Sequence, residues 1–371
     1  LILFIIIVIA TISQFYKNHN YFIKNNVYRS LLVLLLATVL TLPVVEYPGS
    51  VLRFHIPEFI RALSFFFFTV IIISDKKRFK LFLSVFIFLQ IIRVLEPLYL
   101  NITEGYWGDK TFIDDNEYAN RLSGAPGDVI NPNELGFIII TILPYIYYLL
   151  INHKNKLYKL LGILIVPALL YALVLTMSRG AYIVVLAASF FIFIKSKHKF
   201  ILLLIGLGVL LVTWSSMSFY QKDRVLSLIG YSETAQSKTA SGRFDSMLSE
   251  FKLGAVRPVF GHGIGTTSEA KYHNGLGTKA SHNMYAELLI EIGFVGFYFF
   301  MRFIRAIYKE IKSIKLVDEE ESSGVMVNLF MVNFIVFALY SINYYGLSQT
   351  YWYLFAGLVV AYSRIYTAVK P

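Results

Sequence analysis

Long apolar runs recur along almost the whole chain and restrict it to one structural class. A transmembrane helix needs roughly 20 apolar residues to cross a hydrocarbon core about 30 Å thick. The chain contains eleven such runs, at about 1–13, 30–45, 58–74, 79–99, 134–151, 158–177, 180–194, 199–217, 283–303, 325–344 and 350–367. Because 57% of the residues are hydrophobic and only 15% are charged, the sequence predicts an all-α, polytopic bundle of transmembrane helices.

Basic residues in the short loops predict how this bundle is oriented, because Lys and Arg collect on the cytoplasmic side of membrane proteins. Six regions hold twenty Lys and Arg residues, whereas the intervening short loops hold four. The six are 14–29, 75–80, 154–159, 195–199, 302–315 and the C-terminus. The long connections 100–133 and 218–281 are therefore predicted to face outward. Eleven spans place Leu1 outside, so we expect a truncated N-terminus and twelve spans in the whole protein.

Charge and cysteine content limit the kinds of partner. The net charge of +11 follows mostly from the topology and favours anionic lipid head groups, so no nucleic-acid partner is expected. The chain has no Cys, which excludes disulfides and thiolate metal sites. We expect no signal peptide, since no charged segment and cleavage site precede a soluble domain.

Two polar segments interrupt the apolar chain, and both face outward in this topology. The first, 101–136, is rich in Gly, Pro, Asn and acidic residues, which is typical of an irregular loop that ends at a capped helix. The second is longer than structureless connections usually are, so we expect function there. The predicted organisation is an N-terminal bundle (1–217), a long outer loop with catalytic elements (218–281) and C-terminal helices (282–371).

The long outer loop contains two recognisable elements. SGRFDSMLSEFKLG (241–254) has the spacing of one face of an amphipathic helix that lies on the membrane surface or packs on the bundle. Its apolar residues are Phe244, Met247, Leu248 and Phe251. The second element is GHGIG (261–265). Glycine allows close approach of the backbone to a ligand, so Gly263 and Gly265 are predicted to bind substrate.

Two arginines are candidate anion-binding residues. Arg179 lies between two apolar runs with almost no loop to spare, which holds it near the outer interface. Its guanidinium either reaches head-group phosphates or binds a phosphate or pyrophosphate bidentately. Arg243 follows Ser241 and Gly242 near the start of the amphipathic helix. It is either a solvated loop residue or a second anion ligand.

His282 is the candidate for proton transfer. It precedes an apolar helix that Ser281 is predicted to cap, and an imidazole titrates near neutral pH. Asn283 and Glu287 lie one helical turn apart and either help to hold the acceptor or are interface residues. A zinc site is disfavoured, because the spacing of the loop histidines matches no compact zinc motif. A second candidate base is the acidic group of the first outer loop, Asp114, Asp115 and Glu117.

Four segments, in this order, resemble the O-antigen ligase and polymerase superfamily of bacterial envelope glycosyltransferases. They are NPNELGFIIITILP (131–144), SRGAYIVVL (178–186), SGRFDSMLSEFKLGAVRPVFGHGIG (241–265) and SHNMYAELLIEIGFVGFYFF (281–300). The resemblance covers roughly 120–300. By motif, the family's essential arginines and histidine fall on Arg179, Arg243 and His282. Where the family often has a Trp shortly after the loop arginine, this chain has Met247 and Leu248.

The resemblance implies transfer of a glycan from an undecaprenyl-pyrophosphate-linked oligosaccharide to a glycan acceptor, without a metal or other cofactor. We expect the active site on the periplasmic or outer face of the cytoplasmic membrane, and a chain-length regulator or flippase as a partner. Between the two branches, we favour a polymerase that extends capsule or O-antigen repeat units. The alternative is a ligase that moves the finished glycan to lipid A core or protein.

A carrier, such as a lipid-linked oligosaccharide flippase, is the alternative from another class. Transporters usually place ionisable residues near the middle of the membrane. In this chain the candidates Arg61, Arg93 and Glu96 lie near span ends, and the polar residues concentrate in the outer loops. The sequence therefore favours an enzyme.

Overall fold

The computed structural model describes most of the chain, namely residues 23–108, 113–114, 117–118, 121–151, 153–195, 199, 211, 214–215, 222, 226, 235–278, 281, 283–314, 321–343 and 346–367. Its helices are α1 (Asn26–Leu40), α2 (Ile56–Ile72), α3 (Lys76–Glu104), α4 (Pro132–Tyr145), α5 (Lys156–Thr176), α6 (Arg179–Lys195), α7 (Ala235–Gly254), α8 (Thr267–His273), α9 (Met284–Ser313), α10 (Glu321–Tyr340) and α11 (Tyr351–Thr367). A short helix (Pro48–Ser50) and a π-helical turn (Val51–His55) lead into α2, and a second π-turn (Ile146–Ile151) continues α4. In the described ranges the only β-structure is an antiparallel pair of two-residue strands, β1 (Ile113–Asp114) and β2 (Glu117–Tyr118). The predicted all-α fold is confirmed.

Nine of the predicted spans coincide with helices of the structure. Four helical stretches are long and apolar enough to cross a membrane by length and composition: Pro48–Ile72, Lys76–Glu104, Pro132–Ile151 and Lys156–Thr176. Shorter apolar helices cover Asn26–Leu40, Arg179–Ile194 and Gly324–Tyr340. The predicted spans 1–13 and 199–217 lie wholly or mostly outside the described residues. The chain is a polytopic helical membrane protein.

The helices form two compact units, and the first consists of Leu1–Phe82, Phe244–Val327 and Ser341–Pro371. In it α1 packs on α9, and α11 packs on both α2 and α9. The ring of Tyr353 on α11 lies 6.2 Å from that of Phe59 on α2 and 6.0 Å from that of Phe303 on α9. A Cβ atom on Gly357 would lie 2.8 Å from Cβ of Thr69. A small residue is therefore required where α11 crosses α2.

The second unit consists of Leu83–Arg243 and Asn328–Tyr340. Its central helix is α4, which packs on α5 and α6. Asn131 caps α4 in a capping box with Glu134, and Pro132 occupies the first turn, so the predicted capped helix is confirmed. Arg93 donates to both carboxylate oxygens of Asp128, at 3.1 and 3.0 Å. Arg93, one of the ionisable residues considered under the carrier alternative, thus forms an ion pair with the first outer loop.

Helix α9 is broken at Gly293, whose φ of 59° and ψ of −168° are not helical. The backbone groups that the break exposes are paired with the loop before α8. Phe294 N–H donates to the carbonyl of Pro258, and His262 N–H donates to that of Ile290. These hydrogen bonds attach the long outer loop to α9 beside the break. Without them, each of these backbone groups would be unsatisfied.

Candidate functional site

The segment around His282 is held by the residues on either side of it, both in the first unit. Ser281 is 1% exposed and Asn283 is 4% exposed. The side chain of Asn283 accepts hydrogen bonds from Tyr285 N–H and Ala286 N–H at 2.9 and 3.1 Å, so Asn283 is the N-cap of α9. The prediction that Ser281 caps this helix is wrong, since Ser281 lies two residues before the N-cap position and its hydroxyl is bonded elsewhere. His282 itself lies outside the described residues.

Ser281 is instead attached to a buried ion pair. Its hydroxyl donates to Glu250 Oε2 at 2.8 Å, and Lys271 Nζ donates to Glu250 Oε1 at 2.7 Å. Glu250 and Lys271 are each 3% exposed. A buried charge is tolerated when it is paired and hydrogen-bonded. The pair therefore joins α7, α8 and the residue before His282 into one rigid cluster.

Helix α7 contains the predicted amphipathic segment, but a different face of it is buried. Leu253 packs with Ala270 and Ile290, whereas Leu248 is 46% exposed. The difference arises because the pair with Lys271 turns Glu250 inward and carries Leu253 with it. Met247 still makes a contact from the predicted face, since its Sδ accepts a hydrogen bond from Asn283 Nδ2 at 3.1 Å.

Two carboxylates lie one helical turn apart in the N-terminal third of α9. Glu287 is 8% exposed and Glu291 is 2% exposed. Glu287 Oε2 accepts from Gly346 N–H at 2.6 Å. Glu291 Oε1 accepts from the Thr267 hydroxyl at 2.8 Å. Glu287 thus binds the backbone of a loop, and Glu291 binds the first residue of α8. Glu287 is placed to hold the segment before α11. Its predicted contact with substrate stays a prediction.

The predicted substrate-binding glycines adopt left-handed backbone conformations and pack on residues before α2. Gly263 has φ of 128° and Gly265 has φ of 75°. A Cβ atom would lie 2.6 Å from Val51 Cγ2 at Gly263, and 2.3 Å from His55 Cγ at Gly265. Glycine is needed at both positions on steric and conformational grounds. Their predicted contact with substrate stays a prediction.

His262 and Glu46 form a second polar contact in the first unit. His262 Nδ1 is hydrogen-bonded to Glu46 Oε2, and Arg257 Nε lies 3.4 Å from the same oxygen. Partial burial acts to raise the pKa of Glu46, but the hydrogen bond with His262 and the charges of His262 and Arg257 outweigh it and lower the pKa. Burial and the charge of Glu46 raise the pKa of neighbouring Tyr47 to about 12. Glu46 is therefore held as a carboxylate.

Arg179 lies in the second unit, at a tightly bonded corner between α5 and α6. Met177 ends α5 in the left-handed conformation with φ of 49°, and Arg179 is the first residue of α6 and 9% exposed. A cation at a helix N-terminus opposes the helix dipole. An anion at this position would interact favourably with both the guanidinium and the helix end.

A second arginine, not singled out from the sequence, supports this corner. Arg121 Nε donates to the carbonyl of Thr176 at 2.9 Å, and its Nη2 donates to Asn133 Oδ1 at 2.8 Å. Leu122 N–H donates to the carbonyl of Leu175 at 2.8 Å. The first outer loop thus donates hydrogen bonds to the carbonyls at the end of α5, shortly before Arg179.

Arg243 lies within helix α7, four residues before Met247, and its side chain lies outside the described residues, as do those of Asp114, Asp115 and Glu117. Sequence analysis missed the Glu250–Lys271 and Glu46–His262 contacts, which join residues 21 and 216 positions apart. It also missed Glu291, for which a signal existed: a second acidic residue one turn after Glu287 in an apolar run.

Comparisons with known proteins bear on these residues. A family described as O-Antigen ligase matches residues 164–301, a stretch that contains Arg179, Arg243 and His282. The chain is also 25% identical over 267 residues to the "ComP-specific O-oligosaccharyltransferase" of Acinetobacter baylyi. This match covers 68% of the chain and 45% of the relative, so the chain spans less than half of that relative's length.

Proposed function

We propose that this chain, a member of the O-antigen ligase and polymerase superfamily, moves an oligosaccharide from undecaprenyl pyrophosphate to an acceptor hydroxyl at the outer face of the cytoplasmic membrane. The observation that carries the proposal is the ligase-family match over 164–301, because it contains all three predicted catalytic residues. The sequence alone favours a polymerase. The ligase family and the O-oligosaccharyltransferase relative favour the ligase alternative, with a lipid or protein acceptor.

The donor end of the reaction needs positive charge. A glycan on a pyrophosphate carrier is already activated, so catalysis consists mainly of positioning and of stabilising the leaving pyrophosphate. In the proposal Arg179 and Arg243 bind this group. Support comes from the setting of Arg179, a buried, permanently charged guanidinium at the first turn of α6. Two guanidinium groups supply the charge without a metal ion.

The acceptor end needs a proton acceptor. The acceptor oxygen attacks the anomeric carbon, the bond from that carbon to the pyrophosphate oxygen breaks, and configuration inverts. The hydroxyl proton passes to His282, and the electron pair leaves with undecaprenyl pyrophosphate. Support comes from the residues around His282, since Ser281 and Asn283 are buried and hydrogen-bonded. A base between two anchored neighbours would need little reorganisation between turnovers.

Variants of the three residues test the mechanism. Arg179→Ala, Arg243→Ala and His282→Ala are each expected to lower glycan transfer by about a hundredfold or more while the protein accumulates normally in the membrane. Lys252→Ala is the matched control, because Lys252 is an exposed cation on the same helix as Arg243. Wild-type transfer in all three variants would exclude the mechanism.

The product distinguishes the three candidate activities. Purified protein is given synthetic undecaprenyl-pyrophosphate glycan with EDTA, with and without an acceptor, and the products are sized on a gel. A ligase attaches the intact glycan only when acceptor is present. A polymerase produces a ladder on the lipid carrier without acceptor, and a flippase leaves the glycan unchanged but moves it across a vesicle membrane. Loss of transfer in EDTA would contradict metal-independent chemistry.

A further inference from the structure

A cavity of about 350 Å³ lies between the start of α1 and the C-terminal half of α9, within the first unit. Its lining residues are Asn26, Ser30, Tyr298, Arg302, Arg305, Ala306 and Lys309. Arg179, the one predicted catalytic residue whose side chain the structure describes, is not among them. Neither the family resemblance nor the mechanism above gives these side chains a role.

Three of the lining residues are cations on one face of α9. Arg302, Arg305 and Lys309 follow each other at spacings of three and four residues, which places them in one row along the helix. All three are exposed. In the described part of the chain none of them forms an ion pair, and Glu310 is not among the lining residues. Among the described residues the cavity therefore carries a positive charge without a counter-ion, which favours an anion.

Helix α1 contributes polar groups, but two of its N-terminal N–H groups are already used. The side chain of Asn25 accepts from Val27 N–H and Tyr28 N–H at 3.0 and 3.1 Å. An anion in the cavity would therefore be bound by the α9 cations and by the side chains of Asn26 and Ser30. Guanidinium groups match phosphate geometry with paired N–H donors, whereas an ammonium acts as a point charge.

The same row of α9 becomes aromatic toward the middle of the helix. Tyr298 is 62% exposed and Phe294 is 60% exposed. Phe294 precedes Arg302 by eight residues, or about 12 Å along a helix. A molecule bound along this row would meet apolar rings at one end and cations at the other, which is the chemical pattern of a phospholipid and not of a free phosphate ion.

Both walls of the cavity belong to the cytoplasmic side in the topology predicted from the basic loops. The start of α1 lies within region 14–29, and Arg302, Arg305 and Lys309 belong to region 302–315. We propose that this cavity binds the phosphate head group of an anionic phospholipid from the inner leaflet, with an acyl chain along Tyr298 and Phe294. Basic pockets between transmembrane helices on the cytoplasmic side suit such head groups.

Lipid retention tests the site without any catalytic assay. The purified chain is placed in bilayers of phosphatidylcholine with a small fraction of phosphatidylglycerol, and native mass spectrometry measures the lipid retained. We expect phosphatidylglycerol to be enriched about tenfold over phosphatidylcholine. The combined variant Arg302→Gln, Arg305→Gln and Lys309→Gln should lose this enrichment. Equal retention of the two lipids by the wild type would overturn the proposal.

A matched triple variant separates this site from general charge attraction. Lys154→Gln, Lys156→Gln and Lys159→Gln removes the same charge from an exposed region also predicted to be cytoplasmic, and it should retain the enrichment. An equal loss in both triple variants would refute a defined site. Ala306→Leu narrows the cavity without changing charge and should also reduce the enrichment. Unchanged enrichment in that variant would place the lipid elsewhere.

Competition distinguishes a lipid from a free anion. Millimolar inorganic phosphate should leave phosphatidylglycerol bound, because it cannot use the aromatic end of the row. Tyr298→Ala should weaken retention of phosphatidylglycerol. If inorganic phosphate displaced the lipid completely and Tyr298→Ala had no effect, the cavity would be a phosphate site and the lipid assignment would be wrong.

Discussion

Lys271 and Glu250 form an ion pair with 2.7 Å between Nζ and Oε1, and neither side chain is more than 4% exposed. The pair also binds the hydroxyl of Ser281. The residue next to the proposed catalytic histidine is therefore fixed by charges that lie outside the family's essential residues.

Breaking this pair from one side should destabilise the protein strongly. Lys271→Met leaves Glu250 buried without a counter-ion, which typically costs about 3–5 kcal/mol. The double variant Glu250→Gln with Lys271→Met should be more stable than Lys271→Met alone, because no net charge remains buried. Thermal unfolding of the four proteins in detergent gives the coupling free energy. Additive losses would show that the two residues do not act as a pair.

The close approach of Gly261 and Gly293 predicts a position-specific effect of alanine. A Cβ atom on Gly261 would lie 2.5 Å from the backbone carbon of Glu291, and one on Gly293 would lie 2.5 Å from that of Val259. Gly275→Ala is the control, since Gly275 has the same φ of +72° as Gly261 but nothing within 4 Å. The control should lose only about 1–2 kcal/mol from backbone strain. Gly261→Ala should lose clearly more, and equal melting temperatures would contradict the steric argument.

The Glu46–His262 contact predicts acid sensitivity of the outer loop. The folded-state pKa of Glu46 is lowered from its ordinary value of 4.5. Its stabilising contribution is therefore complete above pH 4.5 and is lost as the pH falls through the lowered pKa. Hydrogen exchange of residues 257–266 as a function of pH measures this loss. Glu46→Gln should remove the acid-dependent step, whereas Asp245→Asn, at an exposed carboxyl of α7, should leave it in place.

Removing the cap at Asn283 should reduce the stability of the protein and its glycan transfer to different extents. Asn283→Ala should cost about 1 kcal/mol, because two N–H groups of α9 lose their acceptor. Transfer should fall further than stability does if the cap orients His282. Asn283→Asp retains a capping oxygen and should restore both quantities. A variant with lost stability but wild-type transfer would limit Asn283 to a structural role.

The guanidinium of Arg179 should not be replaceable by an amine. Arg179→Lys keeps the charge but loses the planar pair of donors, so transfer should remain at least about tenfold below wild type. Steady-state kinetics with the lipid-linked donor measure kcat and KM, and wild-type values would show that charge alone is sufficient. Lys252→Arg, at an exposed site, is the reciprocal control.

The elements that were predictable depend on local signals. Asn131, Pro132 and Glu134 are the residues of a capping box within four positions of each other, and α4 begins there. Nine of the apolar runs likewise coincide with helices in the described part of the chain, because their length and composition require it. The contact of Glu46 with His262 has no local signal, since it depends on how a loop before α2 meets a loop after α7. The face of α7 was mispredicted because apolar spacing takes no account of a buried ion pair.

A glycine inside a long helix is usually regarded as a hinge, and Gly293 invites that interpretation. In this protein the carbonyls of Ile290 and Glu291 accept from His262 N–H and Gly263 N–H, while Phe294 N–H and Val295 N–H donate to Pro258 and Val259. Hydrogen bonds from the loop therefore support the helix on both sides of the break. Its consequence is mechanical: bending α9 at this point would require four backbone hydrogen bonds to separate together, so the two halves of the helix and the adjoining loop move as a single lever.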